Sequence, residues 1–147
     1  MTTMRGWALI SGLMAAAALM ASCVSQPATA PTGDSGAGLE ALDGMAAVQA
    51  WLQEPRGRRV LIYHSPRCDF CKGVLQAVDE VRPELAPTAR VATVDIDSNP
   101  DVATAQCIGP VPVVVFLDGP REIRRWRVAR PAPMVRRGLR AFFAPEP

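Results

Sequence analysis

Two spacings of apolar positions alternate along the chain after residue 38, and together they predict alternating helices and strands. Apolar residues at helical spacing predict helices over 39–54, from 68 to about 83, over 99–108 and over 132–143. Short β-branched and apolar runs predict strands over 58–65, 90–97, 110–119 and 121–128. Because helices and strands alternate before a final strand pair and helix, we predict one α/β domain, residues 39–144. Its central mixed β-sheet is flanked by helices on both faces, and residues 145–147 form a tail.

The first 38 residues have a different character. "MTTMR" is basic, the run from Gly6 to Ala21 carries no charge, and small residues lead to Cys23. This pattern is typical of an export signal over 1–22. A transmembrane anchor is the alternative, since about 20 apolar residues span a membrane. Residues 24–38 are small, polar and rich in Pro and Gly, which predicts a flexible tether.

The end of the signal, "LMASC" from Leu19 to Cys23, resembles the lipobox of bacterial lipoproteins, with Met20 where Leu is usual. The resemblance implies cleavage before Cys23 and attachment of lipid to it. Residues 23–38 would then be a lipidated tether reaching roughly 20 Å. We therefore expect the protein in the cell envelope, facing the periplasm. Val24, in place of Asp, slightly favours the outer membrane over the inner one.

The net charge of the chain excludes few classes of partner. Without residues 1–22 the chain has 15 basic and 14 acidic residues, a balance that argues against nucleic acid as a partner. The arginines nevertheless crowd the C-terminal third. This pattern predicts either a solvated face or attraction to anionic lipid or an acidic partner. The arginines in question are Arg121, Arg124, Arg125, Arg127, Arg130, Arg136, Arg137 and Arg140.

Cys68, Cys71 and Cys107 remain once Cys23 is assigned to lipid. A disulfide framework needs an even number of cysteines, and a structural zinc site needs four ligands. The three cysteines and His64 could supply a Cys3His set, and a static disulfide between Cys68 and Cys71 is a further alternative. A lone C-x-x-C near a βαβ pattern is more typical of a redox motif.

Three landmarks make residues 39–144 resemble the thioredoxin family. They are the C-x-x-C, the turn Asp97-Ser98-Asn99-Pro100, and Val111-Pro112 before the run "VVVFLDG". Cys68 and Pro112 are 44 positions apart, a spacing that matches family members without a gap. The resemblance implies the thioredoxin fold and a cis-proline at Pro112. It also implies that Val111 presents its backbone to an extended substrate.

The resemblance further implies thiol–disulfide exchange. Cys68, at a helix N-terminus that favours negative charge, would attack a partner disulfide, and the more buried Cys71 would resolve the mixed disulfide. We expect Arg67 and Lys72 to favour the Cys68 thiolate and Asp69 to oppose it. No cofactor is expected beyond the Cys68–Cys71 disulfide, and no metal.

The departures from the family pattern lie around the dithiol. Arg67 replaces the usual Trp, and Asp69 and Phe70 replace Gly-Pro; an aromatic before the second Cys is similar to glutaredoxins and periplasmic disulfide isomerases. We expect Arg67 and Phe70 to contact substrate. The family's buried Asp and its neighbouring Lys correspond to Ile62 and Thr93, which weakens the case for a fast general reductase.

Two single residues complete the candidates. His64 ends the strand before the dithiol and is expected to pack there, with tuning of Cys68 or proton transfer as the alternative. Cys107 is expected to be a small buried apolar residue. The alternative is a third thiol near the site.

These features predict a monomeric, membrane-anchored thiol–disulfide oxidoreductase that reduces or exchanges disulfides in exported proteins. Its partners would be those proteins and a membrane electron donor or acceptor. The alternatives are a thioredoxin-fold binding module and an envelope lipoprotein that holds copper or another soft metal without turnover.

Overall fold

The structure, a computed structural model, describes residues 39–85, 87–127 and 129–145. These residues belong to one compact unit, 36–147. The predicted signal peptide, the tether and Cys23 lie outside the described residues. Among the residues that are described, no helix is long and apolar enough to cross a membrane.

The centre of the unit is a mixed β-sheet of five strands in the order β1-β3-β2-β4-β5. β2 pairs with β3 in parallel and with β4 antiparallel, and β4 and β5 form the predicted antiparallel pair. The predicted mixed sheet is therefore confirmed. The strands are β1 (Glu40–Ala41), β2 (Arg58–His64), β3 (Arg90–Asp95), β4 (Val113–Asp118) and β5 (Arg121–Trp126).

Helices cover both faces of the sheet because the central strands are apolar on both sides. Val60 and Ile62 of β2 face the core under α2 and α4, whereas Leu61 and Tyr63 face the core under α1 and α3. Since the strands and both cores come from this one unit, it contains the contacts that fold it. The helices are α1 (Gly44–Gln53), α2 (Asp69–Val81), α3 (Pro100–Ala105) and α4 (Ala132–Phe143).

The first helix was predicted to start at residue 39, and this start is wrong. Residues 39–43 form the short edge strand β1 and its exit, and the Leu42 N–H donates to the Thr93 carbonyl at 2.8 Å. α1 begins only at Gly44, whose φ of 78° is open to glycine and costly for other residues. The Asn99 side-chain oxygen accepts the Gly44 N–H at 2.7 Å, so the Asp-x-Asn-Pro turn fixes where α1 starts.

Candidate active site at Cys68 and Cys71

The turn between β2 and α2 presents the first cysteine of the C-x-x-C. Cys68 is the N-cap of α2, with extended backbone (φ −94°, ψ 110°). Its N–H donates to the Ser65 carbonyl at 3.0 Å, and its carbonyl accepts from the Lys72 N–H at 3.2 Å. The Cys71 N–H donates to Cys68 Sγ at 3.2 Å. The sulfur thus takes the place of a capping oxygen, where unpaired N–H groups of the helix stabilise a negative charge.

The two cysteines differ in exposure. Cys68 is half-buried, whereas the Cys71 side chain is 1% exposed. Burial, reinforced by the contact with Cys68, raises the pKa of the Cys71 thiol to about 12. Cys71 is therefore protonated at neutral pH, and only Cys68 has both solvent access and a donor for its charged form.

The loop before β4 lies against the same sulfur. The peptide bond between Val111 and Pro112 is cis, as the resemblance implied. The Cys68 thiol donates to the Val111 carbonyl at 3.6 Å, and Pro112 is buried behind it. The structure thus brings Cys68, Cys71, Val111 and Pro112 together, although 43 positions separate Cys68 from Val111.

Asp97, which sequence reasoning placed in a turn and not in the site, ties that turn to the dithiol loop. Its carboxylate accepts from Arg67 Nε and from one terminal nitrogen of the same guanidinium, each at 3.0 Å, and from Ser65 Oγ at 2.7 Å. Ser65 Oγ in turn accepts the Arg67 N–H at 3.2 Å. The hydrogen bonds from Arg67 and Ser65 hold the pKa of Asp97 below its usual value. The sequence could have indicated this contact. Asp97 follows β3, and the carboxyl end of β3 lies beside the carboxyl end of β2, which leads to Ser65 and Arg67.

Both cations that were expected to favour the Cys68 thiolate are paired with acids. Arg67 pairs with Asp97, and Lys72 Nζ lies 2.7 Å from Asp69 Oδ1. Asp69, and to a lesser degree the charge of Cys68, raise the pKa of Lys72, so Lys72 interacts with both groups. Arg67 and Phe70 are nevertheless accessible, with the Arg67 side chain 83% and Phe70 73% exposed.

Ile62 and Thr93 are direct partners across the β2–β3 pairing, which confirms that the two substituted family positions are neighbours. Ile62 is fully buried and Thr93 is 7% exposed. The buried carboxylate and ammonium of the family pattern are thus replaced together, so neither charge is left unpaired in the core.

His64 ends β2, and its carbonyl accepts the Ile96 N–H at 2.9 Å. Its Nδ1 is buried and has no hydrogen-bond partner among the described residues. Burial lowers the pKa of His64, against the opposing charges of Asp95 and Asp97. These two acids, rather than either cysteine, are the charges that act on it.

Cys107 is exposed, so the expectation of a small buried residue is wrong. The helix predicted over 99–108 ends at Ala105, and Cys107 adopts a left-handed conformation (φ 50°) just beyond it. A residue at that position turns away from the buried face of the helix. Across the described part of the chain, no three Cys, His, Asp or Glu side chains cluster as a metal site would require.

Solved structures of thioredoxins are similar to this chain. A mutant thioredoxin from Halobacterium salinarum NRC-1 has a TM-score of 0.62 at 15% identity, over 76% of this chain and 96% of that one. Fasciola hepatica thioredoxin has a TM-score of 0.60 at 21% identity, over 71% and 99%. Trypanosoma brucei brucei thioredoxin has a TM-score of 0.61 at 17% identity, over 71% and 89%.

No protein-family model and no curated protein sequence matches the chain. The structural similarities therefore stand on backbone geometry, at identities too low to carry more than the fold. The element order, the mixed sheet and the solved structures agree: the protein has the thioredoxin fold, with a C-x-x-C pair at the start of α2.

Proposed function

We propose that the protein is a thiol–disulfide oxidoreductase of the thioredoxin family, with Cys68 as nucleophile and Cys71 as resolving thiol. The observation that carries the proposal is the asymmetry of the pair. Cys68 is accessible, accepts a helix N–H and lies 3.6 Å from the Val111 carbonyl, whereas Cys71 is buried behind it. This arrangement suits attack by one sulfur and intramolecular release by the other.

In the reducing direction, the Cys68 thiolate attacks one sulfur of a partner disulfide. The partner S–S bond breaks, the other partner sulfur leaves as a thiolate, and a mixed disulfide forms on Cys68. Cys71 then loses its proton and attacks Cys68 Sγ, which releases the second partner thiol and leaves the Cys68–Cys71 disulfide. Two electrons reach the partner, and an external dithiol must restore the reduced pair.

The substrates we assign are extended segments of exported proteins. Phe70 offers an exposed apolar surface two residues after Cys68, and the Val111 carbonyl lies 3.6 Å from the Cys68 sulfur. Main-chain groups next to a reactive sulfur suit a peptide that binds as an extra strand. Arg67 flanks the same surface while it remains held by Asp97.

The setting we assign is the cell envelope, with the domain tethered to a membrane through lipid on Cys23. The support is the sequence pattern of residues 1–38, which comprises a signal, a lipobox-like end and a tether. A reductase outside the cytosol needs a membrane-borne electron donor. An oxidant or isomerase needs a different acceptor or donor.

Single-cysteine variants of residues 36–147 test the chemistry on a disulfide-bonded protein such as insulin. Cys71→Ser is expected to accumulate a covalent adduct that dithiothreitol releases, because Cys68 attacks and nothing resolves the product. Cys68→Ser is expected to form none, and Cys107→Ser is the matched control that keeps wild-type turnover. Equal adduct formation by Cys68→Ser would assign the reactive thiol elsewhere and contradict the proposal.

Anchoring is tested separately in a bacterial host that expresses the full chain. Labelled fatty acid is expected to enter the wild-type protein and not Cys23→Ser, and both should retain the dithiol. Equal labelling of the two would remove Cys23 as the lipid site without affecting the redox proposal.

A further inference from the structure

The arginines of the C-terminal third divide into two groups. Arg136 and Arg140 of α4 pair with Glu80 and Glu84, at 2.6 and 2.7 Å. Arg125 of β5 pairs with Glu122 at 2.7 Å. A second group, Arg124, Arg130 and Arg137, has no carboxylate partner within the described ranges. On α4, Arg136 is therefore ion-paired, whereas the next residue, Arg137, is not paired with a carboxylate of the described residues. Consecutive side chains of a helix lie on different faces, which explains the difference.

The second group lines one cavity. A space of about 390 Å³ between β5 and α4 is bounded by Arg124, Arg130 and Arg137, with Trp126 and Gly138 among its other walls. Three guanidinium groups without a carboxylate make this cavity strongly positive, and such a concave surface concentrates anions. The Arg130 guanidinium lies 4.9 Å from the Trp126 ring centroid, which holds it at the cavity wall.

A second cavity continues the first towards the other end of the sheet. It encloses about 290 Å³, shares Arg124 and Ala141 with the first, and adds Arg121 and Ile123. Asp118 is the acidic residue in its lining. We refer to the two cavities together as the α4–β5 groove.

The α4–β5 groove also contains exposed apolar side chains. The described residues include three large apolar side chains that are exposed: Phe70 beside the dithiol, and Ile123 and Met134. The last two line the groove, at 43% and 44% exposure. The β4–β5 register shifts between Phe116 and Leu117, which leaves Ile123 out of the cross-strand pairing. A ligand for this surface combines negative charge with apolar side chains.

β5 is an edge strand of the sheet that the described residues form, so its outer backbone groups face no further strand. Edge strands accept extended peptides through main-chain hydrogen bonds, with side-chain pockets adding specificity. An elongated groove along an open edge fits a polypeptide better than a lipid surface, because a planar bilayer reaches the rim of a concave site and not its walls.

We propose that the α4–β5 groove docks an acidic, partly apolar segment of another polypeptide. Its carboxylates would bind Arg124, Arg130 and Arg137, and its apolar side chains would pack against Met134 and Ile123. This docking is separate from the dithiol chemistry and does not depend on it.

The test uses residues 36–147 and a fluorescent peptide of about ten residues in which Glu alternates with Val. Binding is measured by anisotropy at low and at physiological salt. Arg124→Gln/Arg137→Gln is expected to weaken binding at least about tenfold. Arg136→Gln/Arg140→Gln removes the same charge from the other face of α4 and should change affinity less than about twofold. A peptide with Lys in place of Glu should not bind.

Amide and indole NMR signals locate the site independently of affinity. The Trp126 indole and the Gly138 amide should shift on addition of the peptide, while the Gly73 amide on α2 should not. Equal weakening by both double variants, or shifts confined to residues around Cys68, would overturn the proposal. Binding to phosphatidylglycerol vesicles without peptide binding would also overturn it and assign the groove to lipid.

Discussion

The proton on Cys71 has a kinetic consequence that can be worked out from the structure. Burial raises the pKa of Cys71 from its usual 9.0 to about 12, so the thiolate fraction at neutral pH falls about 1000-fold. A more basic thiolate is a better nucleophile, and a Brønsted coefficient near 0.5 restores about 30-fold of that loss. The part of this pKa that comes from Cys68 is lost once Cys68 is in a mixed disulfide, so we expect the resolving step at neutral pH to be slower than the same attack by an exposed thiol, by up to about 30-fold.

The pH dependence follows from the same pKa. Because Cys71 titrates far above neutrality, the resolving rate should rise about tenfold per pH unit from pH 7 to beyond pH 9. The contact with Cys68 contributes less to the raised pKa than burial does, so the rise persists when Cys68 is already in a mixed disulfide.

An aromatic disulfide whose thiolate product is coloured separates the two steps. The reagent is mixed with the reduced domain, residues 36–147, that carries Cys107→Ser. One coloured thiolate should appear quickly as Cys68 attacks the reagent, and a second should appear slowly as Cys71 resolves the mixed disulfide. Cys71→Ala should lack the slow phase. A slow phase whose rate levels off below about pH 9 would refute the burial argument. Burial lowers the pKa of His64 from 6.5, so a break in slope on the acid side of pH 6.5 that disappears in His64→Gln would identify His64 as the proton acceptor.

Two further predictions concern the stability of the fold. Asp97→Asn should lower the free energy of unfolding at pH 7 and match wild type more closely as the pH falls. Hydrogen bonds from Arg67 depress the pKa of Asp97 below 3.8, and that contribution is lost on protonation. Urea unfolding at pH 7 and below pH 3.8 checks this, and a pH-independent difference contradicts it. Gly138→Ala should destabilise by about 1–3 kcal/mol, because the added Cβ would lie 2.8 Å from Trp126 Cζ2 and closer still to Cη2. Gly73→Ala meets nothing within 4 Å and should stabilise α2 by about 0.5–1 kcal/mol; equal effects in a urea titration would contradict the packing argument.

The spacing of apolar residues predicted the helices and strands that nearby residues are sufficient to determine. α4 runs over 132–143 as predicted, because Val135, Leu139 and Phe143 recur at helical spacing and are buried on one face. Leu39 and Leu42 fit helical spacing equally well, yet they flank β1. What decides there is the hydrogen bond from Leu42 to Thr93 on β3, and a contact this distant in sequence leaves no trace in local spacing.

In the candidate site, too, short motifs were predicted from the sequence and contacts between distant residues were not. The C-x-x-C and Val111-Pro112 are short motifs shared with thioredoxins, so the resemblance implied that they meet at the site. The pairing of Arg67 with Asp97, 30 positions on, depends on how two loops meet at the edge of the sheet. The exposure of Cys107 depends on where α3 ends. Arg59, inside the strand predicted over 58–65, is 1% exposed and donates to the Gly119 carbonyl at 2.8 Å, a contact between positions 60 residues apart that local spacing does not indicate.

If the proposed function is right, Cys68 and Cys71 form a reversible two-electron couple. The reduction potential of residues 36–147, equilibrated in glutathione and then dithiothreitol buffers, tests it most directly. We expect one couple between about −120 and −270 mV that is absent in Cys68→Ser, with values near −270 mV typical of a reductase and higher values of an oxidant or isomerase. No reversible couple, or a midpoint below about −300 mV as in structural disulfides, would contradict it.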